Sequence, residues 1–294
     1  MSKQVEYLSN GILEVAISTR GAELQSIRRV SSPFEYLWHG DAAFWDRRSP
    51  ILFPIVGTLW ENTAHIDGAT YPFGQHGFAR DMEFRKIVDE DRHMAFTLSS
   101  DASTFALFPF AFELRIDYTL LRNVLTVTWT VSSSDDVAVP FHIGAHPGFM
   151  LPHFCDDDDL HGYLSLDVSA PLRCSTLDGA YVDGGVAELP IPANGLLPLC
   201  ADTFICPTLV DATSRVHRIT LHDKEARPIV TLRHTMPVTA IWTPAPDDAP
   251  FLCIEPWCGC CDHVGYTGEF AERPFTQFAT SGQPWTTSYD IIIE

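Results

Sequence analysis

The sequence predicts a mainly β protein, a large antiparallel sandwich with few short helices, and three observations lead there. Apolar and polar residues alternate with period two in run after run along the chain. Helical periodicity carried over about 11 residues or more with matching caps is nearly absent. Finally, 21 prolines and 18 glycines punctuate 294 residues too often for long helices. Many short antiparallel strands in a chain of this length suit stacked sheets that each bury one face and leave the other solvated.

The elements follow in chain order. Leu13–Ser18 and 94–98 are the first strand candidates. In 113–120 polar Glu113, Arg115 and Asp117 alternate with apolar Leu114, Ile116 and Tyr118. In 124–132 apolar residues at 125, 127, 129 and 131 alternate with threonine at 126, 128 and 130, the mark of a strand with one wet face. The short connection Leu121-Arg122-Asn123 joins these two runs as an antiparallel hairpin. Further candidates are 216–221, 229–232, Val238–Trp242 and 288–293. The tract 151–159, with four aspartates at 156 to 159, reads as a surface loop. No internal repeat and no linker is visible, so 1–294 is expected to form a single domain.

Composition narrows the function. With 46% hydrophobic and 12% aromatic residues the chain can bury a large core, and 19% charged residues is too few for disorder. Nineteen Lys and Arg against 38 Asp and Glu give a net charge of −19, which repels phosphate backbones and anionic lipid, so neither nucleic acid nor membrane is expected as a partner. Neutral small substrates fit most easily. The first ten residues lack a basic segment followed by an apolar one, and no apolar run approaches about 18 residues, so a cytoplasmic location is expected. Eight cysteines are scattered without a regular framework, and reduced thiols are expected.

Three segments stand out: 75–80 (Gln-His-Gly-Phe-Ala-Arg), 144–149 (Gly-Ala-His-Pro-Gly-Phe) and 254–257 (Ile-Glu-Pro-Trp). They supply two imidazoles, His76 and His146, and one carboxylate, Glu255. Each lies beside Gly or Pro and a large aromatic, as a polar group fixed on irregular backbone beside a flat apolar surface would. His76 and His146 are 70 residues apart and Glu255 follows 109 later, so only tertiary folding can unite them.

Together with Gly21-Ala22-Glu23-Leu24, Phe44-Trp45 and the run Arg48-Ser49-Pro50 to Gly57, these segments resemble the aldose 1-epimerase (galactose mutarotase) superfamily, in its LacX-like branch. The resemblance runs from about residue 5 to residue 293; its most specific pieces are 76–80 and 253–257. It implies a β-sandwich of the galactose-mutarotase type that interconverts the α and β anomers of an aldohexose by opening and reclosing the ring, without a cofactor. It places Glu255 as general base, His146 as general acid and His76 as the histidine that binds substrate near the ring oxygen. The chemistry asks for such groups in its own right: a base takes the proton of the C1 hydroxyl while an acid gives one to the ring oxygen, and the roles then reverse. Burial against Trp257 is expected to raise the Glu255 pKa.

Arg48 and Arg80 are candidates to hold sugar hydroxyls, since a guanidinium presents several fixed donors, with a structural ion pair as the other reading of Arg80. Trp257 and Phe78 are candidates for an apolar platform under the sugar; Trp242 is read as core first. Asp202, just before Phe204, stands where the superfamily often has an acidic residue facing the sugar. Ala145 and His142 depart from the branch's usual glycine and small polar residue, which bears on substrate preference.

Other chemistries find less support. His142 and His146, four apart on a strand, lie about 13 Å apart, too far to share a metal. The aspartates at 156 to 159 lack the rest of a calcium loop, and Cys258, Cys260 and Cys261 lack a second Cys pair, so no metal site is expected. Phosphate loops and a nucleophile elbow are absent. Rivals to a mutarotase of free aldoses are a hexose-6-phosphate mutarotase, a carbohydrate-binding or sensing protein without turnover, and a lyase or glycosidase on a related sandwich. The last would need a second motif-borne carboxylate.

Overall fold

In a computed structural model, which describes residues 4–134, 136–155, 157–203, 208–244 and 249–294, the period-two runs pair into antiparallel sheets. The largest has nine strands, in the order Leu197–Pro198, Tyr163–Leu166, Arg218–His222, Pro228–His234, Trp285–Ile293, Val124–Ser133, Phe112–Leu121, His93–Ser99 and Arg85–Glu90. The expected hairpin lies inside it as the sixth and seventh strands. Leu121 pairs with Val124, which narrows the connection to Arg122 and Asn123, with Arg122 at φ 56°. Leu125, Val127, Trp129 and Val131 are buried while the threonines between them are half-buried.

The second sheet has six strands. Thr208–Asp211, Val238–Trp242, Phe251–Cys258, Ile143–Ala145 and Ile51–Leu52 lie side by side in that order, and Gly148–Met150 also pairs with Phe251–Cys258. All eight residues of Phe251–Cys258 are buried, so this strand has no wet face. Its side chains nevertheless divide by parity. Leu252, Ile254 and Cys258 join the main core with Ile116, Val127 and Trp129 of the large sheet, which makes the sandwich. Cys253 and Trp257 join two separate small clusters on the opposite face, with Glu255 between them. One continuous cluster of buried side chains runs from Leu8 to Ile293.

Smaller units cover the edges: a three-stranded sheet (Val5–Ser9, Leu13–Ser18, Leu24–Arg29) and a hairpin of Leu172–Asp178 with Tyr181–Leu189. Among the described residues the only α-helix is the single turn Ala102–Phe105, which Asp101 caps with its side chain. None is long and apolar enough to cross a membrane. Cys253, Cys258, Cys260 and Cys261 are unbridged thiols.

Most expected strands keep their bounds within a residue or two; the one expected at 288–293 starts three residues earlier, at Trp285. The run expected at 216–221 starts its ladder only at Arg218. The amide of His217 donates to Asp167 Oδ1 (3.0 Å) and the carbonyl of Val216 accepts from the Thr239 hydroxyl (3.3 Å), so neither group is available to the sheet. The described part of 151–159 is loop, with Asp158 paired to Lys224; Asp156, Phe204 and Cys206 lie outside the described residues.

Candidate active site

The polar centre arises where one partner of the Phe251–Cys258 strand is interrupted. Ile143–Ala145 pairs with it through Gly144 and Trp257, and Gly148–Met150 resumes through Gly148 and Cys253 in the same antiparallel register. Between them the strand lapses at His146 and Pro147, where one cross-strand bond persists, from the Ile254 amide to the Pro147 carbonyl at 3.2 Å. The shared register, continued through the break, sets His146 opposite Glu255. Glu255 faces away from the sandwich core because it is two residues from both Cys253 and Trp257. Its Oε2 lies 3.3 Å from His146 Nε2. The two atoms are within ion-pair reach but not aligned for a hydrogen bond, and Oε2 has no hydrogen-bond partner among the described residues. Glycine at 144 is required by the close approach of Trp257, whose Cδ1 would stand 2.5 Å from an added Cβ.

His76 comes from the other side, on backbone of unusual shape. It adopts φ 64° and is followed by Gly77 at φ 72°, where an added Cβ would meet the Phe53 carbonyl oxygen at 2.3 Å. The amide of Gly57 donates to His76 Nδ1 at 3.1 Å, and the His76 amide donates back to the Gly57 carbonyl at 2.8 Å. A neutral ring that accepts at Nδ1 carries its proton on Nε2, so His76 is a hydrogen-bond donor at that nitrogen. Its ring centroid is 5.6 Å from that of His146, edge to face.

These three groups line one cavity of about 360 Å³, the size of a small-ligand site. Arg80, Gln75 and Thr58 add polar lining, and Trp45, Trp242 and Trp257 add aromatic faces. Trp45 stacks on His146 with centroids 4.7 Å apart, and Trp242 meets the same ring edge-on at 5.4 Å. The tip of the 172–189 hairpin brings Leu177, Gly179 and Ala180 to the rim.

Burial dominates the electrostatics. It pushes the Glu255 carboxyl well above the usual carboxylate range, and the nearby Trp257 indole opposes this without completing an aligned hydrogen bond. Burial likewise pulls His146 down to about 3, assisted by the positive charges of Arg80 and Arg47, and pulls His76 down, assisted by His146 and the same arginines. Arg80 falls only to about 10, chiefly through burial and then Arg47, and stays charged at neutral pH. Burial therefore favours a protonated carboxyl beside a neutral imidazole, a pair holding one proton between them.

The structure unites His76, His146, Glu255, Arg80 and Trp257 of the residues singled out by sequence, and sets three others elsewhere. Arg48 donates from Nη1 to the Gln25 carbonyl at 2.6 Å and packs beside Gly40, away from the cavity. Phe78 packs among Phe53, Phe73 and Phe112 in the core, because the left-handed residues 76 and 77 turn the chain before it. Asp202 is exposed on the turn Ala201–Thr203 and does not line the cavity. Trp242, read as core first and as platform second, does both, packing against the Trp38–Phe251 cluster and lining the cavity, and Trp45, Gln75 and Arg47 acquire places for which the sequence suggested no role. Trp45 had a signal, as part of the Phe-Trp piece of the resemblance. Arg47 lies beside Arg48 but points the other way, donating to Asp81 in a polar recess that adjoins the cavity through Arg80.

Comparison with known proteins bears on the whole chain. The family model described as aldose 1-epimerase matches residues 5–289. The chromosomally encoded protein LacX of Lactococcus lactis subsp. lactis is 27% identical over 298 aligned residues, covering 97% of this chain and 98% of that protein. A galactose mutarotase-like protein from Lactobacillus casei superposes with a TM-score of 0.92 at 29% identity, covering 99% of this chain and 100% of the other. A galactose mutarotase related enzyme from Lactobacillus acidophilus gives 0.91 at 27% identity, over 99% and 97%.

Proposed function

The chain belongs to the aldose 1-epimerase family, and on that premise we propose that it is a mutarotase, a single-domain cytoplasmic enzyme that interconverts the α and β anomers of a free aldohexose. The observation that carries the reading is the 3.3 Å approach of His146 Nε2 to Glu255 Oε2 in a cavity of monosaccharide scale. The two oxygens that exchange protons in mutarotation, the anomeric O1 and the ring O5, are bonded to the same carbon. An acid and a base that each stay within hydrogen-bond reach of one of these oxygens can be near neighbours, as these two are.

Proton bookkeeping supports the same reading. Glu255 as carboxylate takes the O1 proton while His146 as imidazolium gives its proton to O5, and the C1–O5 bond opens to the aldehyde. After rotation about C1–C2, O5 returns its proton to His146 and attacks the other face, and Glu255 reprotonates the former carbonyl oxygen. Nothing is consumed. The reactive form holds one proton across the pair, the same number as the neutral form that burial favours, so it arises by transfer within the pair rather than by exchange with solvent. His76, donor at Nε2, suits the ring-oxygen side, Arg80 and Gln75 suit the hydroxyls, and Trp257 with Trp45 and Trp242 offers apolar surface.

The test is polarimetry on freshly dissolved α-D-glucose and α-D-galactose with the spontaneous rate subtracted. Wild type is expected to accelerate equilibration, and Glu255→Gln to lose about 10²- to 10⁴-fold of that while keeping sugar affinity. Binding without acceleration in either protein would leave a sugar-binding protein. Phosphorylated hexoses are a second reading, favoured by Arg80 in the wall and Arg47 close by; both lie near Asp81, which offsets them. Much tighter binding of hexose 6-phosphates than of hexoses would promote it.

A further inference from the structure

We infer that His146, Cys253 and Glu255 form a binding site for a divalent cation of the zinc class, and that its occupation switches the acid–base pair off. The site stands on geometry alone; the switching clause rests on the acid–base reading above. One donor atom from each of the three residues lies within 4.8 Å of the others, and all three side chains are buried. Cys253 and Glu255 share the face of their strand turned away from the main core, because they are two residues apart. The register that sets His146 opposite Glu255 sets Gly148 opposite Cys253. Gly148 has no side chain to occupy that space, and the Cys253 sulfur would lie 3.5 Å from a Cβ there.

The donor set points to the ion. Imidazole, thiolate and carboxylate are all zinc ligands, and a thiolate selects against magnesium and calcium. His146 and Glu255 line the cavity while Cys253 lies behind them, buried beside Trp38 and Phe251, so a fourth ligand would enter from the His146–Glu255 side, the arrangement of a zinc that exchanges an outer ligand. Glu255 Oε2 has no hydrogen-bond partner among the described residues to lose, and it already faces His146 Nε2 at 3.3 Å. Bonds of about 2.0 to 2.3 Å at tetrahedral angles bring donors to about 3.5 Å from one another, so closure asks about 1 Å of side-chain movement. On binding, the thiol proton and the one proton held by the His146–Glu255 pair pass to solvent, and three coordinate bonds form. With the imidazole nitrogen and the carboxylate both on the ion, neither can move a proton.

Cobalt(II) is the probe. Titration of the metal-free protein is expected to give a near-ultraviolet thiolate-to-cobalt charge-transfer band that saturates at one equivalent and is displaced by Zn²⁺. The band should vanish in Cys253→Ala, with Cys253→Ser as the second variant if alanine unfolds the protein. Zn²⁺ should also stop mutarotation reversibly, with recovery on adding a chelator. No band in wild type overturns the site. A band that survives in a folded Cys253 variant also overturns it, and moves the thiolate to Cys258, Cys260 or Cys261. Saturating Zn²⁺ that leaves a fast mutarotation unchanged overturns the switch. A Cys253-dependent band in a protein that accelerates no aldose upholds the site and removes the acid–base reading, so the two fail separately.

Discussion

The hairpin of Phe112–Leu121 with Val124–Ser133 and the strand Phe251–Cys258 are both interior to their sheets, yet they solve opposite problems. The hairpin keeps unbroken pairing from Leu121–Val124 to Phe112–Ser133, buries one side and leaves threonines toward water. Phe251–Cys258 is buried on both sides, and one of its partners is cut in two at His146 and Pro147. Unbroken ladder satisfies backbone groups and sets aliphatic side chains, but it has no room for a ligand. A break inside a doubly buried sheet frees one side chain to face another across the gap and surrounds both with a low dielectric. The hairpin is built for stability, whereas the broken ladder accepts an ill-satisfied carboxyl beside an imidazole, the two groups proposed above as the acid–base pair.

The largest effects should separate along this line. Glu255→Gln is expected to cut the mutarotation rate by about 10²- to 10⁴-fold and leave the melting temperature equal or higher, since it removes a buried carboxyl that burial already disfavours. Trp129→Ala should do the reverse. It empties a fully buried site in the hairpin at a cost of about 3 to 5 kcal/mol, with little change in rate per folded molecule. Thermal unfolding and polarimetry on both variants would sink the contrast if the two effects came together.

Gly144→Ala tests the broken strand from its own backbone. The added methyl meets Trp257 Cδ1 at 2.5 Å in a packed wall, so the indole beside Glu255 has to move. A cost of about 1 to 3 kcal/mol is expected from overpacking, together with a measurable fall in rate. A loss of stability with the rate intact would show that the Trp257 face is not part of sugar binding.

Stability against pH sharpens the comparison further. The folded-state pKa of Glu255 is raised, so its contribution is present below about 4.5 and is lost as pH rises toward the folded value. His146 is lowered, so its contribution is present above about 6.5 and is lost as pH falls toward about 3. Between about 4.5 and 6.5 the two slopes oppose each other. Glu255→Gln removes only the first, so the free energy of unfolding of the variant relative to wild type should climb with pH across that window, by at most about 1.4 kcal/mol per pH unit. Calorimetry at pH 5 and 7 reads the sign, and a relative stability that falls with pH would refute the burial of an unpaired carboxyl. The rate should decline on the acid side when the pair takes a second proton and on the alkaline side when it loses its last.

How much of this was legible follows from the same contrast. The 124–133 strand was readable because a wet face writes its alternation into the sequence as threonine against Leu125, Val127, Trp129 and Val131. His76, His146 and Glu255 were readable through local motifs, but their meeting was not, since it depends on register across the gap. Trp242 could not be assigned between core and cavity because its strand is almost wholly buried, and hydrophobicity cannot say which covered face meets a cavity. Arg48 and Phe78 failed for want of backbone direction. Neighbouring Arg47 and Arg48 diverge on a loop, and two left-handed residues turn the chain before Phe78.

The smallest effect belongs to the wet face of the hairpin. Thr128 lies between Asp117 and Ser288 on the neighbouring strands, half-buried and on the side turned away from the core. Thr128→Ala gives up strand propensity and a little cross-strand contact, with no cavity left behind. A change of about 0.5 kcal/mol or less is expected, with the polarimetric rate untouched. If instead this substitution slowed mutarotation in a protein still fully folded, strain would be passing from the unbroken ladder through Trp129 and Ile254 to Glu255. The two regions would then act as one mechanical unit, and the division between a ladder that stabilises and a break that reacts would have to be abandoned.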